Sequence, residues 1–457
     1  MRRSFRSLAI PDTAHLMFGR SPKPVSCGFG LALGNGAVFP ELNFTLPTMA
    51  LDEANWSAVV AQYEDIGSMI ERAAPRLKLP GLVVEFELLP PMTEHASWGA
   101  QITSALHLHL KNLYEQHGIP CALRVTPTDI RDVTKPPELR SGKPFDQLMQ
   151  SFRGCASAGA HILSIESVGG KEVHDEALLY GDVDGIIFAL GVLAPRDVAF
   201  LWDRIVEICA EAKVIPGGDS ACGFANTAMQ LSAQEMLPEV LAAVVRAASA
   251  VRSLAAFECG AVGPSKDCAY EGPVIKAITG VPIAMEGKSA SCAHFSPVGN
   301  VAAAMCDLWS NESVQNVRLL SGSAPEAYLE LLAYDCRLFN AALQSGSAPE
   351  YQRLLVNSDV LFSPQAFILS PASTTRIASA IVGQSNHYAM TLAAAREAVA
   401  LFEEAEKGKE LELNSREIEW LARIAESLGA LPADESQLIS LMQERYGHLF
   451  SLESYGL

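Results

Sequence analysis

Three residues with metal-binding side chains stand just beyond short apolar runs: Glu166 in Ser-Ile-Glu-Ser-Val-Gly-Gly, Cys222 in Gly-Asp-Ser-Ala-Cys-Gly-Phe-Ala-Asn, and Cys268 in Pro-Ser-Lys-Asp-Cys-Ala-Tyr-Glu-Gly. Two thiolates and a carboxylate from separate segments suit a tetrahedral Zn²⁺, and three protein ligands leave the fourth position for a substrate. Closed structural zinc sites use closely spaced pairs, and the sequence has no Cys-x-x-Cys. The competing reading of any one cysteine is a small buried hydrophobe. It is adopted for Cys27, Cys121, Cys155, Cys209, Cys259, Cys292, Cys306 and Cys336. For Cys222 and Cys268, position and spacing leave both readings open. Asp219, Asn226, Lys266, Asp267 and Glu271 flank the three residues, and they would orient the ligands or move protons. Asp219 and Glu271 are the two acids taken as catalytic candidates, against the plainer reading of loop capping. His107 and His109, two apart on a predicted helix, point in different directions and do not make a joint metal site. His294 is read as a hydrogen-bonded structural histidine.

Such residues act together only if the fold carries them to one place. Short apolar runs alternate with helix-patterned stretches, which is the pattern of a parallel sheet built from βαβ units. Strands are predicted at 82–88, 122–125, 161–165, 185–190, 213–216, 254–257, 282–285 and 317–320. Eight strands close a (β/α)8 TIM barrel, whose chemistry sits at the C-terminal strand ends. An open doubly wound sheet would ask for a Gly-rich turn after the first strand, where Leu88-Leu89-Pro90-Pro91 stands instead. Helices are predicted at 51–74, 97–117, 144–158, 196–212 and 237–252. Residues 27–44 are read as a hairpin turning at Gly34-Asn35-Gly36, because Asn-Gly supplies the positive φ of a tight turn. The expected organisation is an N-terminal hairpin and helix extension (1–80), the barrel (81–325) and a mainly helical C-terminal extension (326–457). The hexapeptide Ser-Gly-Ser-Ala-Pro-Glu occurs at 321–326 and 345–350, and is read as two helix starts.

Composition limits the function classes. The chain has 457 residues, 49% hydrophobic and 19% charged, with a net charge of −18, which excludes a disordered chain and disfavours a nucleic-acid partner. Ten scattered cysteines predict reduced thiols and a cytoplasmic setting. The basic N-terminus lacks the apolar run of a signal peptide, and no stretch reaches the ~18 consecutive apolar residues of a membrane helix.

Four segments carry a family resemblance: GGDSACGFANTAM at 217–229, GPSKDCAYEGP at 263–273, SIESVGGKEVHDEAL at 164–178 and MFGRSPKPVSCGFGLALGNGAVFPELNF at 17–44. With these the chain resembles the methanol:corrinoid methyltransferase family. The resemblance implies a TIM barrel with zinc at the positions matching Glu166, Cys222 and Cys268. It implies a corrinoid-binding partner protein, and a homodimer or a dimer of heterodimers. The implied reaction transfers the methyl group of methanol to the Co(I) corrinoid (cobalamin) of that partner, with the methanol oxygen activated on zinc and released as water. One alternative keeps the site and changes the donor, to another small alcohol or a methoxylated compound. Others are a zinc lyase or hydrolase that needs no corrinoid, and a binding subunit without chemistry.

Overall fold

Seven of the chain's short apolar runs are strands of one parallel sheet, and their composition follows from it: helices cover such a sheet, so its strands stay apolar instead of alternating. A computed structural model describes residues 2–45, 49–293, 297–311 and 324–457. An antiparallel ribbon, β1 (Arg20–Cys27) with β2 (Leu31–Asn35), leads into the parallel strands β3 (Phe39–Phe44), β4 (Leu82–Glu87), β5 (Cys121–Thr126), β6 (Ile162–Ile165), β7 (Ile215–Asp219), β8 (Ala284–Glu286) and β9 (Leu308–Asn311). The strands lie side by side as β7-β6-β5-β4-β3-β9-β8. Residues 262–265 run along the free side of β7, where the N–H groups of Val262 and Gly263 each donate to β7 carbonyls, of Pro216 and Gly217, at 2.9 Å. A Cβ on Gly263 would meet the Pro282 carbonyl, just ahead of β8, at 2.6 Å. This segment thus lies between the two ends of the sheet order, in the eighth place of a TIM-barrel α/β fold.

The expected strands at 82–88, 122–125 and 161–165 coincide with β4, β5 and β6, and those at 213–216 and 282–285 begin two residues later, as β7 and β8. Two expectations are corrected. Residues 185–190 are helical, within Val183–Phe188 and a π-helical turn Ala189–Leu193 that runs into helix Ala194–Ala212, and 254–257 is the last part of helix Glu239–Cys259. A short, uniformly apolar run has no period of its own, so helix and strand read alike when both faces are buried. The expected strand at 317–320 lies outside the described residues. Barrel strands β3 and β9 take the vacant places. The hairpin is also shifted: Cys27 pairs with Leu31, so the chain reverses at Gly28-Phe29-Gly30, and Gly34 and Gly36 turn it into β3.

Helices Val183–Ala212 and Glu239–Cys259 are long and apolar enough to cross a membrane, but 89% and 100% of their most apolar stretches are buried inside the protein. They are core helices. Helix His387–Gly408 packs along Glu239–Cys259, and Glu417 accepts hydrogen bonds from the first N–H groups of that core helix, Glu239 at 3.1 Å and Val240 at 2.9 Å. A carboxylate there satisfies donors that have no partner within the helix.

Candidate metal centre

Each candidate ligand stands at the C-terminal edge of the barrel. Glu166 directly follows β6, Cys222 opens helix Cys222–Ala233 after β7, and Cys268 lies just past the 262–265 segment, before helix Gly272–Thr279. Local hydrogen bonds set both cysteine turns. Cys222 N–H donates to Ser220 Oγ at 2.9 Å, and Cys268 N–H to Asp267 Oδ1 at 2.9 Å. The structure brings one ligand atom from each of Glu166, Cys222 and Cys268 within 4.8 Å of the others. Cys268 Sγ donates to Glu166 Oε1 at 2.8 Å, and Asn226 Nδ2 donates to Cys222 Sγ at 3.2 Å.

Crowding three acidic groups in one half-buried place makes each harder to ionise. Burial and then Glu87 push the Glu166 carboxyl up to about 7, against the pull of Lys266. The Cys222 thiol rises to about 11: its hydrogen bond with Cys268 lowers it, but burial and Glu166 outweigh that bond. Burial, then Cys222 and Glu166, hold Cys268 well above the usual thiol range. All three become anions together only with a cation among them, and two sulfurs and one carboxylate oxygen are donors that Zn²⁺ accepts. The donor set therefore fits zinc.

A second acidic group, Glu85, Glu87 and Asp267, is equally close-set. There the ammonium of Lys266 takes the place of a metal, touching Asp267 and Glu87 and lying 3.5 Å from Glu85 Oε1. Burial opposes the lysine's charge, but Asp267, Glu85 and Glu87 more than offset it and hold its pKa well above the ordinary value. The same ammonium lies 4.0 Å from Glu166 Oε1.

The two candidate acids occupy different surroundings. Asp219 is fully buried, and both its oxygens are engaged. Oδ2 accepts from Trp202 Nε1 and Ser167 Oγ, both at 2.8 Å, while Oδ1 accepts from Ser220 N–H at 2.9 Å and faces Arg252 Nη2 at 3.3 Å. Arg252 also donates to Ser167 O at 2.9 Å and to Ser220 O, so this ion pair ties the loop of Glu166 to the turn of Cys222. Glu271 Oε1 accepts from Ala221 N–H at 2.7 Å and Ser253 Oγ at 2.6 Å, and Oε2 has no hydrogen-bond partner among the described residues. Burial raises the pKa of Glu271.

Elsewhere the bland readings stand. His107 bonds to Gly159 O at 2.8 Å and His109 to Glu71 at 2.7 Å, facing different neighbours. Cys27, Cys121, Cys155, Cys209, Cys306 and Cys336 are buried and Cys259 is half-buried, while His294 and the side chain of Cys292 lie outside the described residues. Sequence reasoning missed Glu87, Arg246 and Arg252. The signal for the arginines was present: two guanidinium groups in an otherwise apolar helix are buried charges, which need partners. A cavity of about 230 Å³ opens on Glu166, walled by Glu87, Thr128, Asp129, Ser167, Lys171 and Phe224 among others.

A family model, that of MtaB, the methanol-cobalamin methyltransferase B subunit, matches residues 2–456. The chain belongs to this family. As an MtaB-family protein it is a methyltransferase. The methanol–corrinoid protein co-methyltransferase of Methanosarcina barkeri (strain Fusaro / DSM 804) is 36% identical over 459 residues, covering 99% of each chain. The MtaB fold is shared in three dimensions as well. A chain in the crystal structure of the methanol:cobalamin methyltransferase complex MtaBC from Methanosarcina barkeri superposes with a TM-score of 0.94 at 34% identity, covering 100% of both chains.

Proposed function

We propose that this methyltransferase transfers the methyl group of methanol to the Co(I) corrinoid of a partner corrinoid protein, using Zn²⁺ held by Glu166, Cys222 and Cys268. The observation that carries the reading is the convergence of these three ligand atoms, from three separate segments, within 4.8 Å of one another in a chain of this family. When bound, zinc supplies a Lewis acid for the donor oxygen, turning hydroxide into a better leaving group. The rest is work for the chain. Glu166, Cys222 and Cys268 would hold the ion as anions, each having given up its proton, so Cys268 would no longer donate to Glu166. Three anionic ligands around a divalent ion leave a charge of about −1 and a moderate Lewis acid, which suits a strong nucleophile and disfavours direct hydrolysis. The cavity beside Glu166, lined by Phe224, Asp129 and Lys171 among others, has room for a small donor. Departing hydroxide needs a proton. Glu271, whose Oε2 has no hydrogen-bond partner among the described residues, is the acid assigned to it, while Asp219, committed at both oxygens, orders the ligand loops.

The test is a corrinoid methylation assay with the zinc-loaded chain, a reduced corrinoid protein and a panel of methyl donors, following loss of the Co(I) absorbance. Methanol should be consumed. Activity with a methoxylated compound or another alcohol, but none with methanol, would move the substrate and keep the site. Turnover without the corrinoid protein would favour a zinc lyase or hydrolase. Zinc stoichiometry should fall in Cys222→Ala and in Cys268→Ala, and unchanged metal content would refute the ligand assignment.

A further inference from the structure

Among the largest fully buried side chains are four arginines, Arg124, Arg131, Arg246 and Arg252. Three of them meet carboxylates: Arg124 meets Glu41, Arg131 meets Asp129 and Asp197, and Arg252 meets Asp219. Arg246 differs. Its contacts are Gln365 Oε1 at 2.9 Å, Met229 Sδ at 3.3 Å, Asn226 Oδ1 at 3.4 Å from both terminal nitrogens, and the Tyr270 ring at 4.9 Å. None of these is a carboxylate. A guanidinium taken out of water needs a compensating negative charge, and breaking such compensation is costly. Burial lowers the pKa of Arg246, against the pull of Tyr270, Glu271, Cys222 and Glu286. The group is short of a close counter-charge.

Asn226 shows where that counter-charge lies. A guanidinium only donates, so the amide oxygen of Asn226 must face Arg246, and its NH₂ must then face the other way. The other way is the metal centre: Nδ2 donates to Cys222 Sγ at 3.2 Å and approaches Cys268 O at 3.5 Å. Asn226 follows Cys222 by one helical turn in helix Cys222–Ala233, so the two side chains share a face. Two thiolates and one carboxylate around a divalent ion carry about −1, and the buried guanidinium carries +1. We propose that Arg246, acting through Asn226, is a positioning and charge-balancing residue of the metal centre. It orients the Asn226 amide to hydrogen-bond the Cys222 thiolate and offsets the negative surplus of the loaded site. Electron density is drawn off the Cys222 sulfur, which keeps the ion more acidic toward a donor oxygen than its three anionic ligands alone would allow. This inference rests on the zinc reading above.

The experiment uses the full chain. Zinc affinity is measured at fixed pH by competition with a chromophoric chelator, and the thiolate-to-metal charge-transfer band is read after Co²⁺ is loaded in place of zinc. Asn226→Leu removes the donor at similar volume. It is expected to weaken zinc binding about 10–100-fold, as loss of a partner behind a metal ligand does, and to move the Co²⁺ band to lower energy. Arg246→Gln should move both readouts in the same direction, and Arg246→Lys should restore most of the affinity. A folded Asn226→Leu protein with the wild-type zinc affinity and an unmoved band overturns the inference. If that variant does not fold, Asn226→Ser is judged by the same criterion. A wild-type chain showing no thiolate-to-Co²⁺ band overturns the zinc reading itself, an outcome distinct from a band that is present and unmoved by the variants.

Discussion

At the residue scale the metal-free site stores an unfavourable ionisation. The folded chain holds the Glu166 proton up to a pH of about 7, against an ordinary value of 4.5, so it binds that proton more tightly than the unfolded chain does. The sign follows: this contribution to stability is complete below about pH 4.5 and is lost as the pH rises to about 7. Urea denaturation of the metal-free protein should show stability falling over this window, and Glu166→Gln should flatten the slope. With zinc bound the slope should reverse, because the loaded site has given up two thiol protons that the unfolded chain still holds at these pH values. Asp219 belongs to a different class of residue. Asp219→Ala strands the buried guanidinium of Arg252 and should cost about 3–5 kcal/mol in denaturant unfolding. Asp219 and Glu271 were both visible in the sequence as neighbours of the candidate ligands, but their difference was not, since it depends on which oxygens are already taken.

The hairpin shows, at the element scale, how much a turn can demand. Gly28 has φ +54, and a Cβ there would fall 2.3 Å from the Cys121 carbonyl oxygen at the start of β5. The close approach docks Phe29 on the barrel, where its N–H donates to Cys121 O at 2.8 Å and its ring stacks on Tyr114 with centroids 5.7 Å apart. Gly28→Ala must therefore shift backbone as well as strain it, and it should destabilise the protein by at least the 1–3 kcal/mol typical of overpacking, read as a lower Tm. A glycine-rich turn was legible before the fold was known. Its position was not, because both Gly28-Phe29-Gly30 and Gly34-Asn35-Gly36 satisfy the local chemistry, and only the pairing of Cys27 with Leu31 selects the first.

On the scale of the whole molecule, the end of the described chain reaches back to the loop that carries Glu166. The N–H of Gly170 donates to the hydroxyl of buried Tyr455 at 2.9 Å. Tyr455→Phe should cost about 1 kcal/mol in denaturant unfolding, the net worth of one hydrogen bond. Removing residues 451–457 should do more, lowering both Tm and zinc affinity, since the Glu166 loop loses its outer support. The C-terminal helices offered no family motif from which this could be read, and the sequence separation between Gly170 and Tyr455 hides the contact. The sequence by itself indicated the candidate ligands, their flanking acids, the family and a parallel TIM-barrel α/β fold, because these follow from side-chain chemistry, motif and the alternation of apolar runs with helices. Only the tertiary structure decided which apolar runs are strands, that residues 262–265 take the eighth place, and that the Asn226 amide faces a buried arginine on one side and a thiol on the other. Those outcomes depend on burial and on contacts between distant segments, and a uniformly apolar run or a lone polar residue does not announce what it will be packed against.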